Sequence, residues 1–453
     1  MPNQSTVSPH SCPAVLLAAP ASGHGKTTVV AALARLHSRQ GRRVQVFKCG
    51  PDFLDPGWLA LASGRPVHNL DLWICGEEEV QRRLHAAAGE SDLILVEGVM
   101  GLFDGRPSAA DIAQRFDIPV LAVINAASMA ETFGALAHGL QHWRPGLRWA
   151  GSLANRVASS QHAEMIAQAM EGQSYLGAVH ASSSFGLPER HLGLTAAQEM
   201  DDALQRLDTA ADALLNTPLG RMDLDALAAW NTRFEPPASR PQVPALLAGK
   251  TIAVARDEAF QFIYEANIDT LQALGASVRF FSPLADSALP ECDAIWLPGG
   301  YPELHAARLE DNCTMGASLR AHAEAGKPVW AECGGMMVLF DALYDMDGQA
   351  HAMWGVLPGT VRMQKRLAGL GSQQLALAGY EPLRGHTFHY SVSETQLPEV
   401  ARTGRPGQTP AVGAGEAVYQ RGNVRASYFH PWFASSPLAV ASLFSPSAEG
   451  IAP

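Results

Sequence analysis

The sequence predicts an α/β protein of two successive domains, each a parallel sheet with helices on both faces. Three observations carry this prediction. Apolar runs of strand length alternate with longer runs free of helix breakers, the pattern of parallel strands buried on both sides. The alternation stops at a proline-rich stretch over 235–249 and restarts beyond it. In each half a glycine-containing turn directly follows an apolar run, at the edge where a parallel sheet gathers its strand ends.

Taken in order, residues 14–19 are the first strand, followed by turn residues and a breaker-free helical run to Gln40, with Gly41 placed to end the helix. Residues 44–48, 93–97, 120–125 and 149–154 are the next four strands. The segment 235–249 holds four prolines, which disfavour both helix and strand interiors, and is the expected linker. The second half resumes with a strand at 251–255, a helical stretch at 260–274, and strands at 278–281, 294–297 and 329–331. The expected division is a loose tail at 1–13, a first domain at 14–234, the linker, a second domain at 250–437 and a tail at 438–453.

With 453 residues the chain is long enough for two or three cores. Its formal charge of −11 argues against nucleic acid as a partner, because phosphate neutralisation needs a basic face. Six scattered cysteines without a C-x-x-C pair suit neither a structural zinc site nor a disulfide framework, and fit a reducing cytoplasm. The chain shows no leader pattern and no apolar run of membrane-spanning length, so a cytoplasmic protein without a membrane partner is expected.

The turn after the first strand reads Pro20-Ala-Ser-Gly-His-Gly-Lys-Thr-Thr28. Consecutive backbone N–H groups at a helix N-terminus surround phosphate oxygens, and the helix dipole favours their charge. Gly23 and Gly25 permit close approach, Lys26 neutralises the outer phosphates, Thr27 is positioned to ligate Mg²⁺, and Thr28 completes the nucleotide-binding run. Pro20 stands where the strict motif has its first glycine. Glu97 closes the 93–97 strand, Asp52 follows the 44–48 strand, and Asp104 lies beyond Glu97. Each acid alone suits a helix cap or turn; together with the loop they indicate a Mg·ATP site. ATPases of chromosome partition carry an early lysine where this chain has Ala21, which favours an ATP-dependent carboxylate ligase.

The second half carries Ala331-Glu-Cys-Gly-Gly335 after an apolar strand. The small-x-nucleophile-x-small form suits a strained strand-to-helix turn that exposes Cys333. Buried inert thiols are expected for the other five cysteines. His430, in Ser427-Tyr-Phe-His-Pro-Trp-Phe433, is the candidate base for the thiol. The turn Leu297-Pro-Gly-Gly-Tyr-Pro-Glu303 supplies Gly299 and Gly300, with Gly334, as oxyanion-hole candidates.

These segments, with Phe47-Lys-Cys-Gly-Pro-Asp-Phe-Leu-Asp-Pro56, Glu97-Gly-Val-Met-Gly-Leu-Phe-Asp-Gly105, Leu187-Pro-Glu-Arg-His-Leu-Gly-Leu194, Ala253-Val-Ala-Arg-Asp-Glu-Ala-Phe260 and Arg384-Gly-His-Thr-Phe-His-Tyr390, resemble the cobyrinic acid a,c-diamide synthases of corrinoid biosynthesis. The match runs from about residue 14 to 437. The resemblance implies a dethiobiotin-synthetase-like P-loop domain followed by a flavodoxin-like, triad-type class I glutamine amidotransferase domain. It further implies that the c and then the a carboxylate of cobyrinate or hydrogenobyrinate is activated by ATP as an acyl phosphate and amidated with ammonia from L-glutamine.

By the same resemblance Asp52, Leu54, Glu97 and Asp104 lie near the metal and the substrate carboxylate, and Asn155 reads the adenine. A homodimer is an expectation that no motif of the sequence carries. Where related amidotransferases place a glutamate two residues after the histidine, this chain has Trp432, so a Cys–His dyad is expected. Arg384, His386 and His389 are expected either as basic groups for a polyanionic substrate or as lining between domains. Cobyric acid synthase, a longer relative, is the nearest alternative enzyme. A regulatory protein with a dead amidotransferase domain would be expected to lose Cys333 or His430, and both are present.

Overall fold

The computed structural model describes residues 8–190, 193–195, 197–238, 243–407 and 415–446. The chain divides into two compact units, Met1–Arg240 and Pro241–Pro453. Part of the proline-rich segment and part of the Leu187–Leu194 motif lie outside the described residues, as do 1–7 and 447–453.

The first unit is built on strands β1 (His10–Ala18), β2 (Val44–Cys49), β3 (His68–Leu70), β4 (Leu93–Glu97), β5 (Val120–Asn125), β6 (Trp149–Val157) and β7 (Tyr175–His180). They pair in the order β3-β2-β4-β1-β5-β6-β7, every pair parallel. Their carboxyl ends therefore share one edge, with β1 near the middle. Helix α1 (Lys26–Arg39) leaves β1 through the glycine loop. Its Val29, Val30 and Leu33 pack with Val15 and Leu17 of β1 and with Leu207 and Leu214 of the helix Ala203–Leu215.

The second unit carries a seven-stranded sheet. The strands Ser277–Phe281, Thr251–Ala255, Ala294–Leu297, Val329–Glu332 and Val424–Ser427 are parallel neighbours in that order, and Ala417–Arg421 then joins antiparallel. A separate small sheet pairs Gly369–Leu375 with Leu383–His389 and Leu383–His389 with His430–Pro431.

Both expected tails need correction. Residues 10–13 are part of β1 and pair antiparallel with Asn231–Phe234, from His10 opposite Phe234 to Pro13 opposite Asn231. The polar composition read as a tail belongs to an edge of the sheet that only the returning strand completes. At the other end Pro437–Leu443 is a helix that buries Ala439, Val440 and Leu443, followed by buried Phe444. Its apolar side joins the core around Trp296, Trp330 and Phe433. Among the described residues no helix is long and apolar enough to cross a membrane.

Candidate active sites

In the first unit the glycine loop delivers Lys26 at the first position of α1, with Thr27 and Thr28 following. No side chain caps the helix start, so its N–H groups stand available for an anion. Gly25 is needed twice over. Its φ is +81°, and an added Cβ would fall 2.4 Å from the Asn155 amide nitrogen. Gly23 also has φ +81°. Two strand ends brace the loop at His24: the Asn125 N–H donates to the His24 ring at 2.8 Å, and the Asn155 amide donates to the His24 carbonyl at 2.9 Å. Asn155, expected at the adenine, braces the glycine loop through this bond.

The carboxylates gather around a lysine that the sequence reading left unassigned. Lys48, buried at the end of β2, lies 2.5 Å from Asp55, 3.1 Å from Glu97 and 3.6 Å from Asp52. Thr27 donates its hydroxyl hydrogen to Glu97 at 2.7 Å. Burial alone would lower the Lys48 ammonium, but Asp55 and Glu97 outweigh it and hold it raised. Asp55 was also missed, although it stands three residues after Asp52 in the quoted motif; Lys48 first, then hydrogen bonds with Asp52 and Thr27, hold its carboxylate below the ordinary range against burial. Asp52 accepts the backbone N–H of Leu54 and of Asp55, which fixes the turn into the helix Asp55–Ser63. Leu54 enters this network through its backbone. Asp104 accepts the Gly101 N–H at 3.1 Å and shapes the loop after β4. The Met100 carbonyl of that loop accepts from Lys26 at 2.7 Å.

Three carboxylates facing one deeply buried ammonium leave negative charge uncompensated. Burial, ahead of all other causes, pushes Asp52 up to about 6 and Glu97 up to about 7. Glu97 is fully buried, and its second oxygen, Oε2, has no hydrogen-bond partner. An orphaned carboxylate oxygen beside the Thr27 hydroxyl fits a divalent cation that takes its remaining ligands from phosphates and water, the usual way Mg²⁺ is held. Among the described residues no three His, Cys, Asp or Glu side chains converge as a complete metal cage. Asp52 is tied to backbone and Lys48, so Thr27 and Glu97 are the better-placed ligands.

In the second unit Cys333 ends the strand Val329–Glu332 and opens the short helix Gly334–Met337. Its φ is +46°, a conformation that costs a non-glycine residue about 1–3 kcal/mol. The strain is held by the sheet: the Cys333 N–H donates to the Ser427 carbonyl at 2.8 Å. Gly299, Gly300 and Gly334 come together here, since an added Cβ at Gly334 would lie 3.0 Å from the Gly300 nitrogen. An added Cβ at Gly299 would lie 2.4 Å from Cε1 of His430, so the glycine turn, the nucleophile's helix and the histidine form one cluster. Burial first, then Glu303, pushes the Cys333 thiol up, so a base has to take its proton before it can attack.

His430 is 1% exposed and stacks on His386 with ring centroids 5.0 Å apart. Trp432, at the position of the missing acid, packs edge-on to Tyr264. Yet the dyad expectation overlooked a carboxylate: Glu332 Oε2 lies 3.6 Å from His430 Nδ1. It is the residue just before the nucleophile, a neighbour visible in the quoted motif. The expected basic groups also differ. His386 is buried, bonded to the Tyr264 hydroxyl and lowered by burial to about 3, hence uncharged. His389 is buried between Glu416, the Ser391 carbonyl and the ring of Tyr428. Both histidines are interior parts of this unit rather than a cationic surface.

Residues 15–194 match the CobQ/CobB/MinD/ParA nucleotide binding domain, and residues 251–438 match the CobB/CobQ-like glutamine amidotransferase domain. The chain is 53% identical over 440 residues to the hydrogenobyrinate a,c-diamide synthase of Pseudomonas aeruginosa, covering 97% of this chain and 98% of that protein. It is 54% identical over 437 residues to the protein of the same name from Stutzerimonas stutzeri, covering 96% and 99%. Against the cobyrinate a,c-diamide synthase of Herminiimonas arsenicoxydans it is 48% identical over 434 residues, covering 95% and 96%.

Proposed function

This chain belongs to the family of hydrogenobyrinate and cobyrinate a,c-diamide synthases of cobalamin biosynthesis, and we propose that it amidates the c and a carboxylates of such a corrinoid with nitrogen from L-glutamine. In the second unit the Cys333 thiol passes its proton to His430, and the thiolate attacks the glutamine amide carbon. The developing oxyanion faces backbone N–H groups among Gly299, Gly300 and Gly334. The imidazolium returns the proton to the leaving nitrogen, ammonia departs, and water releases glutamate from the thioester.

In the first unit a substrate carboxylate oxygen attacks the γ-phosphorus of ATP, ADP leaves, and ammonia displaces phosphate from the acyl phosphate to give the amide. Lys26 and the start of α1 stabilise the phosphate charge that builds up during transfer. Thr27 and Glu97 would hold Mg²⁺, which supplies charge neutralisation to the phosphates. Lys48 fixes Asp55 and Glu97, and Asp52 and Asp104 shape the loops that face the substrate carboxylate.

The observation that carries the reading is the Thr27–Glu97–Lys48–Asp55 cluster beneath an uncapped helix start, in a chain that also gathers a strained Cys333 and His430 around the Gly299–Gly300 turn. The test is ATP hydrolysis and product mass with purified protein, Mg²⁺, glutamine, and cobyrinic or hydrogenobyrinic acid. A product with both hydroxyls exchanged for amines is expected, and the better acceptor identifies whether the metallated ring is preferred. Glutamine hydrolysis without an amidated corrinoid would overturn the substrate assignment, and absence of ATP turnover would overturn the ligase reading.

A further inference from the structure

Glu332 has an environment that packing alone does not require. Its Oε1 accepts two indole N–H groups, from Trp296 and Trp330, each at 2.8 Å. These tryptophans sit opposite each other on neighbouring parallel strands, so their indoles form a fixed two-pronged clamp. The clamp leaves Oε2 turned toward His430 Nδ1 at 3.6 Å, an ion-pair distance just outside hydrogen-bond range. Both residues are about 1% exposed.

A neutral amide at this position would satisfy both indoles equally well. The cost of burying a carboxylate, several kcal/mol for an isolated ion, therefore calls for a use of its charge. We propose that Glu332 is the positioning residue of the thiol site, holding the His430 imidazole by Nδ1–H so that Nε2 faces the nucleophile. The proposal rests on the reading that Cys333 and His430 hydrolyse glutamine.

The chemistry follows from tautomers. With Glu332 ionised, the single proton of neutral His430 resides on Nδ1, and Nε2 keeps a lone pair for the thiol proton. When that proton arrives, Oε2 faces the imidazolium and offsets its charge. Burial pushes the Glu332 carboxyl up and the His430 imidazole down. Each is therefore disfavoured as a lone charge and favoured when the other is charged. His386 and His389 also act on His430, and neither of these two supplies a negative charge.

Glu332→Gln separates this role from packing. The amide oxygen still accepts from Trp296 and Trp330, while an NH₂ now faces Nδ1 and drives the imidazole proton onto Nε2. Glutamine hydrolysis should fall by about 10²–10⁴ in kcat, with KM for glutamine within about three-fold and ammonia-dependent amidation retained. A kcat within about three-fold of the parent would overturn the proposal.

Trp330→Phe is the second arm, and it decides the question should Glu332→Gln not fold. With one donor gone the carboxylate is less well stabilised and draws the His430 proton more strongly, so the acid limb of the glutaminase pH profile should move to higher pH. An unmoved limb would overturn the proposal. Cys333→Ala in the same assay keeps the two readings apart: if it is inactive while Glu332→Gln is fully active, only the positioning role fails. Glutamine hydrolysis by Cys333→Ala would remove the reading beneath it.

Discussion

Gly299→Ala tests the thiol site with the smallest possible change. The residue lies outside the left-handed region, so alanine is free of backbone strain there, and the effect is steric. The new methyl would stand 2.4 Å from His430 Cε1, 3.3 Å from His430 Nδ1 and 3.2 Å from Phe262 Cδ2. Carbon atoms need about 3.5 Å, so the imidazole has to retreat by roughly 1 Å. It has little room to do so, stacked on His386 at 5.0 Å and backed by Glu332 at 3.6 Å.

A displacement of about 1 Å at a reacting group costs on the order of 10²-fold in rate, or about 2.7 kcal/mol of barrier. Glutamine hydrolysis by Gly299→Ala should therefore fall about 10²-fold in kcat, while amidation with added ammonia stays at the parental rate. The assay is glutamate release under saturating glutamine, run beside ammonia-dependent product formation. A kcat within about three-fold of the parent would mean that His430 is not the base or is not held where the structure places it.

Lys26→Ala should abolish amidation with both glutamine and ammonia, because the phosphate charge loses its neutralising group; residual ammonia-dependent product near the parental rate would contradict this. Cys333→Ala should lose glutamine-dependent amidation and keep the ammonia-dependent reaction, read by the same product assay. A third prediction concerns pH. Asp52 rises from 3.8 to about 6 and Glu97 from 4.5 to about 7 on folding, so the nucleotide-free native state binds more protons than the unfolded chain between those values. Their contribution to stability therefore declines as pH rises through that window. On the proposed reading Mg·ATP requires Glu97 ionised, so the thermal-shift gain it gives should be larger at about pH 7.5 than at about pH 5.5; equal gains would refute the cluster's role.

The parallel strands read from the sequence were legible because they are mostly apolar runs, and the phosphate loop and the Cys333 elbow because glycines at strand ends leave a local signature; the parallel strands His68–Leu70, Tyr175–His180 and Val424–Ser427 lack such an uninterrupted run and were not read. What pairs across the chain was not. His10–Pro13 become strand only because Asn231–Phe234 return to them, more than two hundred positions away. The Pro437–Leu443 helix is fixed by the core it covers, and its apolar face is too short to stand out in the sequence. Lys48 and Asp55 lay inside a motif already quoted, yet their meeting depends on the pairing of β2 with β4, which brings Lys48 opposite Glu97. His386 and His389 looked like a cationic surface because sequence carries no burial.

The charged residues that the fold buries draw the remaining distinction. Among the described residues those buried most completely are Lys26, Lys48, Arg83, Glu97, Glu332 and Arg425. Arg83 is matched by Glu79 at 2.7 Å, and Arg425 reaches Gln420 and the Ser442 carbonyl; those two are structural and locally satisfied. The other four stand at strand ends or at the helix start beside the two candidate sites, and none is balanced by a single simple partner. Lys48 serves three carboxylates, Glu97 keeps an orphaned oxygen, Lys26 is held by backbone carbonyls, and Glu332 splits its oxygens between two indoles and an imidazole. Burying a charge costs several kcal/mol unless a partner offsets it. On the proposed reading, a fold that leaves three of these charges incompletely offset, and gathers them where the motifs point, holds them for groups that arrive with the substrates: phosphate for Lys26, a cation for Glu97, and the thiol's proton, through His430, for Glu332.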